Sequence, residues 1–128
     1  SCNFWRLIMS TLKVNNIQTA SGGSNSTPEQ IEQGRAKVWI KFIGTGTISI
    51  SDSFNVSSIA DNGTGNYTVN FTNAMSNTNY SAVFGANSNA TGYAGPLTQN
   101  TGSIATYGSI AGSFNDSDFQ NMAIFGDQ

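Results

Sequence analysis

The sequence predicts an all-β fold, an antiparallel β-sandwich or jelly-roll of about six to eight strands that follows an extended N-terminal arm. Apolar and polar residues alternate in short runs, and clusters of Gly, Asn, Ser and Thr separate these runs. The chain also contains 11 Ile, 8 Phe and 5 Val but only 3 Leu, and such a composition favours strands over helices. The expected domains are an arm and linker over residues 1–35 and a β-sandwich domain over residues 36–128.

The arm differs from the rest of the chain in its residue pattern. Residues 10–18 are expected to form one strand, and the segment 21–28, rich in Gly, Ser and Asn, is expected to be a flexible linker. Thr27 at the N-cap, Pro28 at the first helical position and Gly34 as a stop predict a helix of one or two turns. We expect the arm to connect the domain to an upstream part of the protein or to a neighbouring chain.

The first strand of the domain is expected over residues 36–43. Its even-numbered side chains are apolar and share one face, while Lys37, Trp39 and Lys41 fall on the other. An aromatic ring between two long cationic side chains is a common anchor of subunit interfaces, so these three residues form a candidate interface. Two alternatives stay open for Trp39: cover by another strand or by the arm, and a platform on which a sugar stacks.

Further strands are expected at intervals typical of sandwiches, over residues 47–56, 66–72, 79–86, 102–107 and 118–125. Residues 87–101 are too polar and too rich in glycine for a core strand and are expected to form a long loop. Tyr93 in this loop and Tyr107 have small polar neighbours. Because tyrosines among amides and hydroxyls suit both saccharides and proteins, these two are the candidate contacts for a glycan or a receptor.

The charge pattern excludes several partners. Charged residues make up 9% of the chain, the net charge is −2, and Lys and Arg never cluster, so the sequence predicts no nucleic-acid partner. No apolar run approaches the roughly 20 residues that a membrane span needs, and we expect no membrane insertion. The single cysteine, Cys2, excludes an intrachain disulfide framework and is typical of a protein that folds in a reducing cytosol.

The residue types also limit the chemistry. The chain has no histidine, so neither a Ser-His-Asp nor a Cys-His nucleophile nor a histidine metal site can be built. A pair of carboxylates remains as a formal route to glycoside hydrolysis, but the acidic residues are expected to serve the backbone of turns. The sequence therefore predicts no catalytic residue, no cofactor and no metal. The acidic residues considered were Asp52, Asp61, Asp116, Asp118, Asp127, Glu29 and Glu32, with Asp116 and Asp118 the better pair for calcium.

Several stretches of the chain together carry a resemblance to known proteins: residues 9–18, 36–48, 53–71, 74–80 and 122–126. They resemble a C-terminal module of bacteriophage tail-fibre and related virion proteins, especially those of marine cyanophages. The stretch that begins at Met9, residues 9–18, is similar to the start of such proteins. We therefore expect residues 1–8 to be an upstream extension of the reading frame or a remnant of a longer chain. Residues 87–117 match nothing in this family.

The resemblance implies a structural module of the virion. A homotrimer that folds in the host cytoplasm would be displayed on the tail fibre, with a host-surface glycan or protein as its expected receptor. The alternative is a free-standing carbohydrate-binding module or lectin that uses Trp39 and the Tyr93 loop as a monomer. A third reading, a tail-spike glycosidase, requires two acidic residues to converge in one cleft.

Overall fold

The computed structural model describes the backbone of residues 11–87 and 92–128, and the side chains of all these residues except 92 and 93. Within this part the chain forms one short helix and nine strands in two antiparallel sheets. The apolar core lies between the sheets, so the fold is a β-sandwich, as the sequence predicts. The chain divides into two compact units, Ser1–Glu32 and Gln33–Gln128.

The short helix forms where the sequence predicts it. α1 spans Pro28–Gly34 and begins after Thr27. The Thr27 hydroxyl oxygen accepts the Gln30 backbone N–H at 3.2 Å, and the Gln30 side-chain oxygen accepts the Thr27 N–H at 2.9 Å. This reciprocal pair is a capping box, which satisfies backbone donors that the first turn leaves without partners.

The strand expected over residues 10–18 is not formed in its described part, residues 11–18. Ile17 makes a single antiparallel bridge to Ser26. Ile17 is out of phase with Leu12, so the segment has no continuous apolar face that pairing would bury. The two side chains are accordingly 52% and 81% exposed.

Two sheets make up the second unit. One has the strand order β2-β1-β9-β5, and the other has the order β3-β4-β7-β6 with the short β8 paired to β7. The strands in chain order are β1 (Val38–Ile43), β2 (Ser49–Phe54), β3 (Val56–Gly63), β4 (Asn66–Phe71), β5 (Ser81–Asn87), β6 (Gly92–Gln99), β7 (Ser103–Ile110), β8 (Ser113–Phe114) and β9 (Phe119–Phe125).

The core forms because the central strands alternate between buried and exposed positions. Every second residue of β1 and of β4 is buried, as their period-2 sequences predict. Phe42 of the first sheet meets Tyr67 of the second edge to face, with ring centroids 5.1 Å apart. The buried apolar cluster consists of Val38, Ile40, Phe42, Tyr67, Val69, Phe71, Met75, Tyr80, Ile104, Met122 and Ile124.

The single strand expected over residues 47–56 is instead two strands in different sheets. The chain turns at Asn55, which has a left-handed backbone (φ 58) that asparagine tolerates better than most residues. The Asn55 side chain fixes this corner because its oxygen accepts the Asn73 N–H at 2.7 Å, and its nitrogen donates to the carbonyl oxygens of Asn73 at 3.0 Å and Lys37 at 3.2 Å. β3 then lies in the second sheet.

The expectation that residues 87–101 form a loop is wrong for most of this segment. Strand β6 pairs with β7 from Gly92 to Gln99, with an irregularity between Pro96 and Thr98. Proline and glycine weaken a central strand, but an edge strand tolerates both because one side of its backbone needs no partner. The pairing with β7 therefore outweighs the poor strand propensity of this segment.

A hydrogen-bonded cluster around Tyr67 joins the two sheets at one end. The Tyr67 hydroxyl donates to Asp116 Oδ1 at 2.7 Å, and the Gly44 carbonyl oxygen lies 3.0 Å away as a second acceptor. The backbone N–H of Gly65 also donates to Asp116 Oδ1, at 2.7 Å. One carboxylate oxygen thus holds β4, while the Tyr67 hydroxyl reaches the end of β1 in the other sheet.

We expect Tyr67→Phe to lower the free energy of unfolding by about 1–2 kcal/mol, because it removes a buried hydrogen bond to a carboxylate. Urea denaturation followed by tryptophan fluorescence measures this loss. Tyr107→Phe is the matched control, since the described residues offer its hydroxyl no hydrogen bond, and it should change the free energy by less than about 0.5 kcal/mol. Equal losses in the two variants would contradict the role given to Tyr67.

The same cluster predicts a loss of stability in alkali. Burial of the hydroxyl, together with its hydrogen bond to Asp116 and the charge of that carboxylate, raises the pKa of Tyr67 well above its ordinary value of 10.0. The unfolded chain releases this proton at lower pH than the folded chain, so the stabilisation is complete below about pH 10 and is lost above it.

The midpoint urea concentration of the wild-type chain should therefore fall more steeply between about pH 9 and pH 11 than that of Tyr67→Phe. Burial also raises the pKa of Tyr80, but this residue is present in both proteins and its effect cancels in the comparison. Parallel pH profiles would show that the Tyr67 proton does not contribute.

Candidate functional site

The outer face of the four-stranded sheet carries an apolar row that crosses all four strands. Strand register places Phe54 opposite Trp39, Trp39 opposite Ala123, and Ala123 opposite Val83. We call these four residues the apolar row. The three larger side chains, Phe54, Trp39 and Val83, are 43%, 37% and 59% exposed. A contiguous set of exposed apolar side chains is typical of an interaction surface.

A polar row runs beside it. Asp52, Lys41, Asn121 and Gly85 occupy successive strands in the same way. The Lys41 ammonium lies 5.0 Å from the centroid of the Phe119 ring, a cation–π contact that holds the side chain along the sheet. An open depression of about 400 Å³ lies between the two rows, with residues such as Trp39, Lys41, Val83, Gly85, Asn121 and Ala123 around it.

The predicted interface residues do not all reach this face. Trp39 and Lys41 project outward, as strand alternation predicts. Lys37, expected beside them, is only 2% exposed. It precedes β1, where its N–H donates to the Ile124 carbonyl at 2.8 Å and its own carbonyl accepts the Asn55 side chain. Lys37 therefore does not join Trp39 and Lys41 as an exposed residue of this face.

Phe54 and Val83 were not singled out from the sequence. Alternation along residues 47–56 places Phe54 on the same face as Ile50. A register shift between Lys41 and Phe42 inserts one extra residue into β2, so that Ile50 pairs with Phe42 but Phe54 pairs with Trp39. Such a bulge reverses which side chains face outward, and no residue of β2 signals it in advance.

The outer face of the five-stranded sheet is rich in amides and hydroxyls. Asn62 Nδ2 donates to Thr68 Oγ1 at 2.8 Å and to Asn66 Oδ1 at 3.3 Å. Farther along the same strands, Asn70 Nδ2 donates to Ser58 Oγ at 3.0 Å. These ladders orient the amide groups without any ionic contact. We call the set Asn62, Asn66 and Thr68 the amide cluster.

Two aromatic rings lie beside the amide cluster. Tyr107 pairs across the sheet with Asn66 of β4 and with Gly95 of β6, and its ring stacks on that of Phe114 with centroids 5.6 Å apart and planes at 21°. We call Tyr107 and Phe114 the aromatic pair. Phe114 is 48% exposed, as expected for a ring with one face covered and one open. Phe114 lies in a segment that the sequence analysis left unassigned.

The Tyr107 ring packs over Gly95, its partner in the strand register. A Cβ atom built on Gly95 would lie 3.0–3.3 Å from three atoms of the tyrosine side chain, so an alanine here would require the ring to shift. Tyr93, the other predicted contact, belongs to the same strand, and its backbone pairs with Ser109. Its side chain is outside the described part of the structure.

Three of the seven acidic residues named as catalytic candidates accept backbone N–H groups. Besides Asp116, Asp61 accepts the Gly63 N–H at 2.9 Å, and Asp52 accepts the Ser53 N–H at 2.8 Å. Across residues 11–87 and 92–128, no group of three acidic or cysteine side chains is placed to hold a metal ion. No helix in the described part of the chain is long and apolar enough to cross a membrane.

Comparison with known proteins returned no relative. A scan against protein-family models found no match, and neither did searches of curated proteins and of solved structures. The chemistry of the two outer faces is therefore the basis for assigning a function.

We expect Gly95→Ala to displace the Tyr107 ring and to weaken the near-ultraviolet circular dichroism of the aromatic pair, because the new methyl group would press on the ring. The loss in the free energy of unfolding should be about 1–3 kcal/mol, as for other overpacked sites. Gly102→Ala is the control, since nothing lies within 4 Å of its added Cβ. Unchanged spectra in both variants would contradict this placement of the ring.

Proposed function

We propose that this chain is a structural module of a bacteriophage tail fibre and assembles as a homotrimer through the outer face of its four-stranded sheet. The observation that carries the proposal is the apolar row, because it crosses the whole sheet and leaves large side chains such as Trp39 and Phe54 exposed. Large aromatic residues near the centre of a surface commonly supply most of the binding energy of an interface.

The shape of this face supports a second copy of the chain as the partner. The apolar row is bulky at Phe54 and Trp39 and low at Ala123, and the depression opens beside Ala123 toward Gly85 of the polar row. A knob and a hollow on one surface allow each copy to insert its aromatic end into the hollow of the next. Such heterologous contacts close into a ring when the rotation between copies permits.

Assembly on a virion is supported by the resemblance to tail-fibre proteins and by the low charge of the chain. A trimer would fold in the host cytoplasm and then be displayed on the fibre, so that several copies contact one surface at once. Linked contacts raise the overall affinity of attachment by roughly 10²–10⁴-fold over that of a single contact, without any new interaction.

The proposal contains no catalytic step. Asp52, Asp61 and Asp116 use carboxylate oxygens to accept backbone N–H groups, a role that orders turns and ties segments together. They come from the edge strand of one sheet, the edge strand of the other, and the segment before β9. The charges of Asp61 and Asp116 both act on the Tyr67 hydroxyl, but each of these carboxylates already accepts a backbone N–H.

One observation favours a second candidate, a free-standing carbohydrate-binding module. The aromatic pair lies on the other sheet, beside oriented amides, and this combination suits a sugar. In that case the chain would bind its ligand as a monomer, and Trp39 would not be needed for assembly.

The oligomeric state tests the proposal. We expect light scattering on a sizing column to give the full chain a mass of three copies of 13.5 kDa. Trp39→Ala and Phe54→Ala should each weaken assembly by about 30-fold or more, because truncation of a central aromatic residue commonly costs 2 kcal/mol or more. Dilution series of the variants measure this shift.

Phe114→Ala is the matched control, since Phe114 is exposed to a similar extent but lies on the other sheet. It should leave the mass unchanged. A monomer at concentrations up to about 100 μM, where an interface with micromolar affinity would be filled, would overturn the trimer and favour the carbohydrate-binding module.

A further inference from the structure

We propose that the outer face of the five-stranded sheet binds a neutral saccharide, with the open face of Phe114 as the stacking platform and the amide cluster as the polar contact. This inference deepens the proposed function, on which it rests, because it names the ligand class for the surface of the fibre module that would meet a host. The apolar row takes no part in it.

The stacking platform follows from the geometry of the aromatic pair. One face of the Phe114 ring lies against Tyr107, and 48% of the residue remains exposed. The Tyr107 ring is itself held over Gly95, so Phe114 rests on a supported ring. A sugar ring presents C–H groups from one side, and these pack on an open aromatic face in the way that other apolar groups do.

The polar contact follows from the hydrogen bonds of the amide cluster. Asn62 Nδ2 donates to both of its partners, Asn66 Oδ1 and Thr68 Oγ1. Among the described residues no hydrogen bond occupies Asn62 Oδ1 or Asn66 Nδ2, and the Thr68 hydroxyl retains its own hydrogen as a donor. The cluster thus presents one acceptor and two kinds of donor at fixed positions. Neighbouring sugar hydroxyls, each both donor and acceptor, complement such a set.

The amide cluster and the aromatic pair form one surface. Asn66 lies directly opposite Tyr107 in the strand register, and Phe114 pairs with Ser109, two residues farther along β7. A saccharide of two or three rings can therefore stack on Phe114 and reach the amides of the neighbouring strand.

The charge of this face selects among saccharides. The strands of this sheet contain one charged residue, Asp61 of β3, and no cationic residue. A sulfated or uronic-acid polymer would find no cationic partner on these strands, so its charge would be desolvated without compensation. The ligand class is therefore a neutral polysaccharide.

The probes are neutral polysaccharides of different backbones, namely dextran, laminarin, galactomannan and xylan, each cast into a native gel, with alginate as the charged comparison. We expect the full chain to be retarded by at least one neutral polymer and not by alginate. The affinity for a short oligosaccharide of that polymer, measured by saturation-transfer NMR, avoids any contribution from multivalency.

Phe114→Ala should weaken the binding of this oligosaccharide by about tenfold or more, the effect expected for loss of an aromatic anchor. Asn62→Ala should weaken it as well, because the amide cluster then loses its acceptor and its order. Ile31→Ala is the matched control, since Ile31 is an apolar residue of similar exposure on α1, outside both sheets, and it should bind as the wild type does. Thermal unfolding of each variant establishes that it folds.

The outcomes separate this inference from the proposed assembly. A trimer that no neutral polymer retards, or that binds equally well after Phe114→Ala, overturns the saccharide site and leaves the trimer intact. A monomer that loses binding on Phe114→Ala upholds the saccharide site and overturns the assembly. Preference for alginate also overturns the inference, since it would require cationic contacts that this face does not provide.

Discussion

The hydrogen-bonded cluster around Tyr67 is the contact on which the arrangement of the two sheets depends at one end. Tyr67 belongs to the second sheet, yet its hydroxyl reaches Gly44, which directly follows β1 of the first. A Cβ atom on Gly44 would collide with that hydroxyl, and Gly65, whose φ is +62°, packs closely against the backbone of Asn115. Glycine at these positions allows the close approach, and Asp116 holds it by accepting two hydrogen bonds.

The corner at Asn55 is the point where the chain passes from β2 of the first sheet to β3 of the second. Its side chain bonds the backbone of Asn73 and of Lys37, so the chain leaves β2 in a fixed direction. The bulge earlier in β2 has already rotated Phe54 onto the outer face. Phe54 therefore lies on the outer face of the edge strand β2, between the bulge and the left-handed Asn55. The Asn55 corner also directs β3 into the second sheet, where Val56 and Ile59 pack against the core.

The sequence predicted those features that depend on local alternation. The sandwich, the buried side of β1 and the outward positions of Trp39 and Lys41 all follow from period 2. Features set by a partner strand could not be predicted. Lys37 is only 2% exposed although alternation places it on the side of Trp39, and β6 is a strand because β7 pairs with it despite its proline and glycines. The aromatic pair depends on the same pairing, since Tyr107 needs Gly95 beside it.

The packing of the two sheets would make the proposed assembly and the proposed recognition compatible in one small domain. Faces on opposite sides of a sandwich are separated by the core, so a partner seated on the apolar row would leave the aromatic pair open. The proposed saccharide contacts of one copy would be weak, because a neutral sugar exchanges hydrogen bonds with water for similar bonds with amides. Repetition of the site in each copy of a trimer would offset this weakness through effective concentration. The two proposals therefore support each other physically, although they depend on different residues and can fail separately.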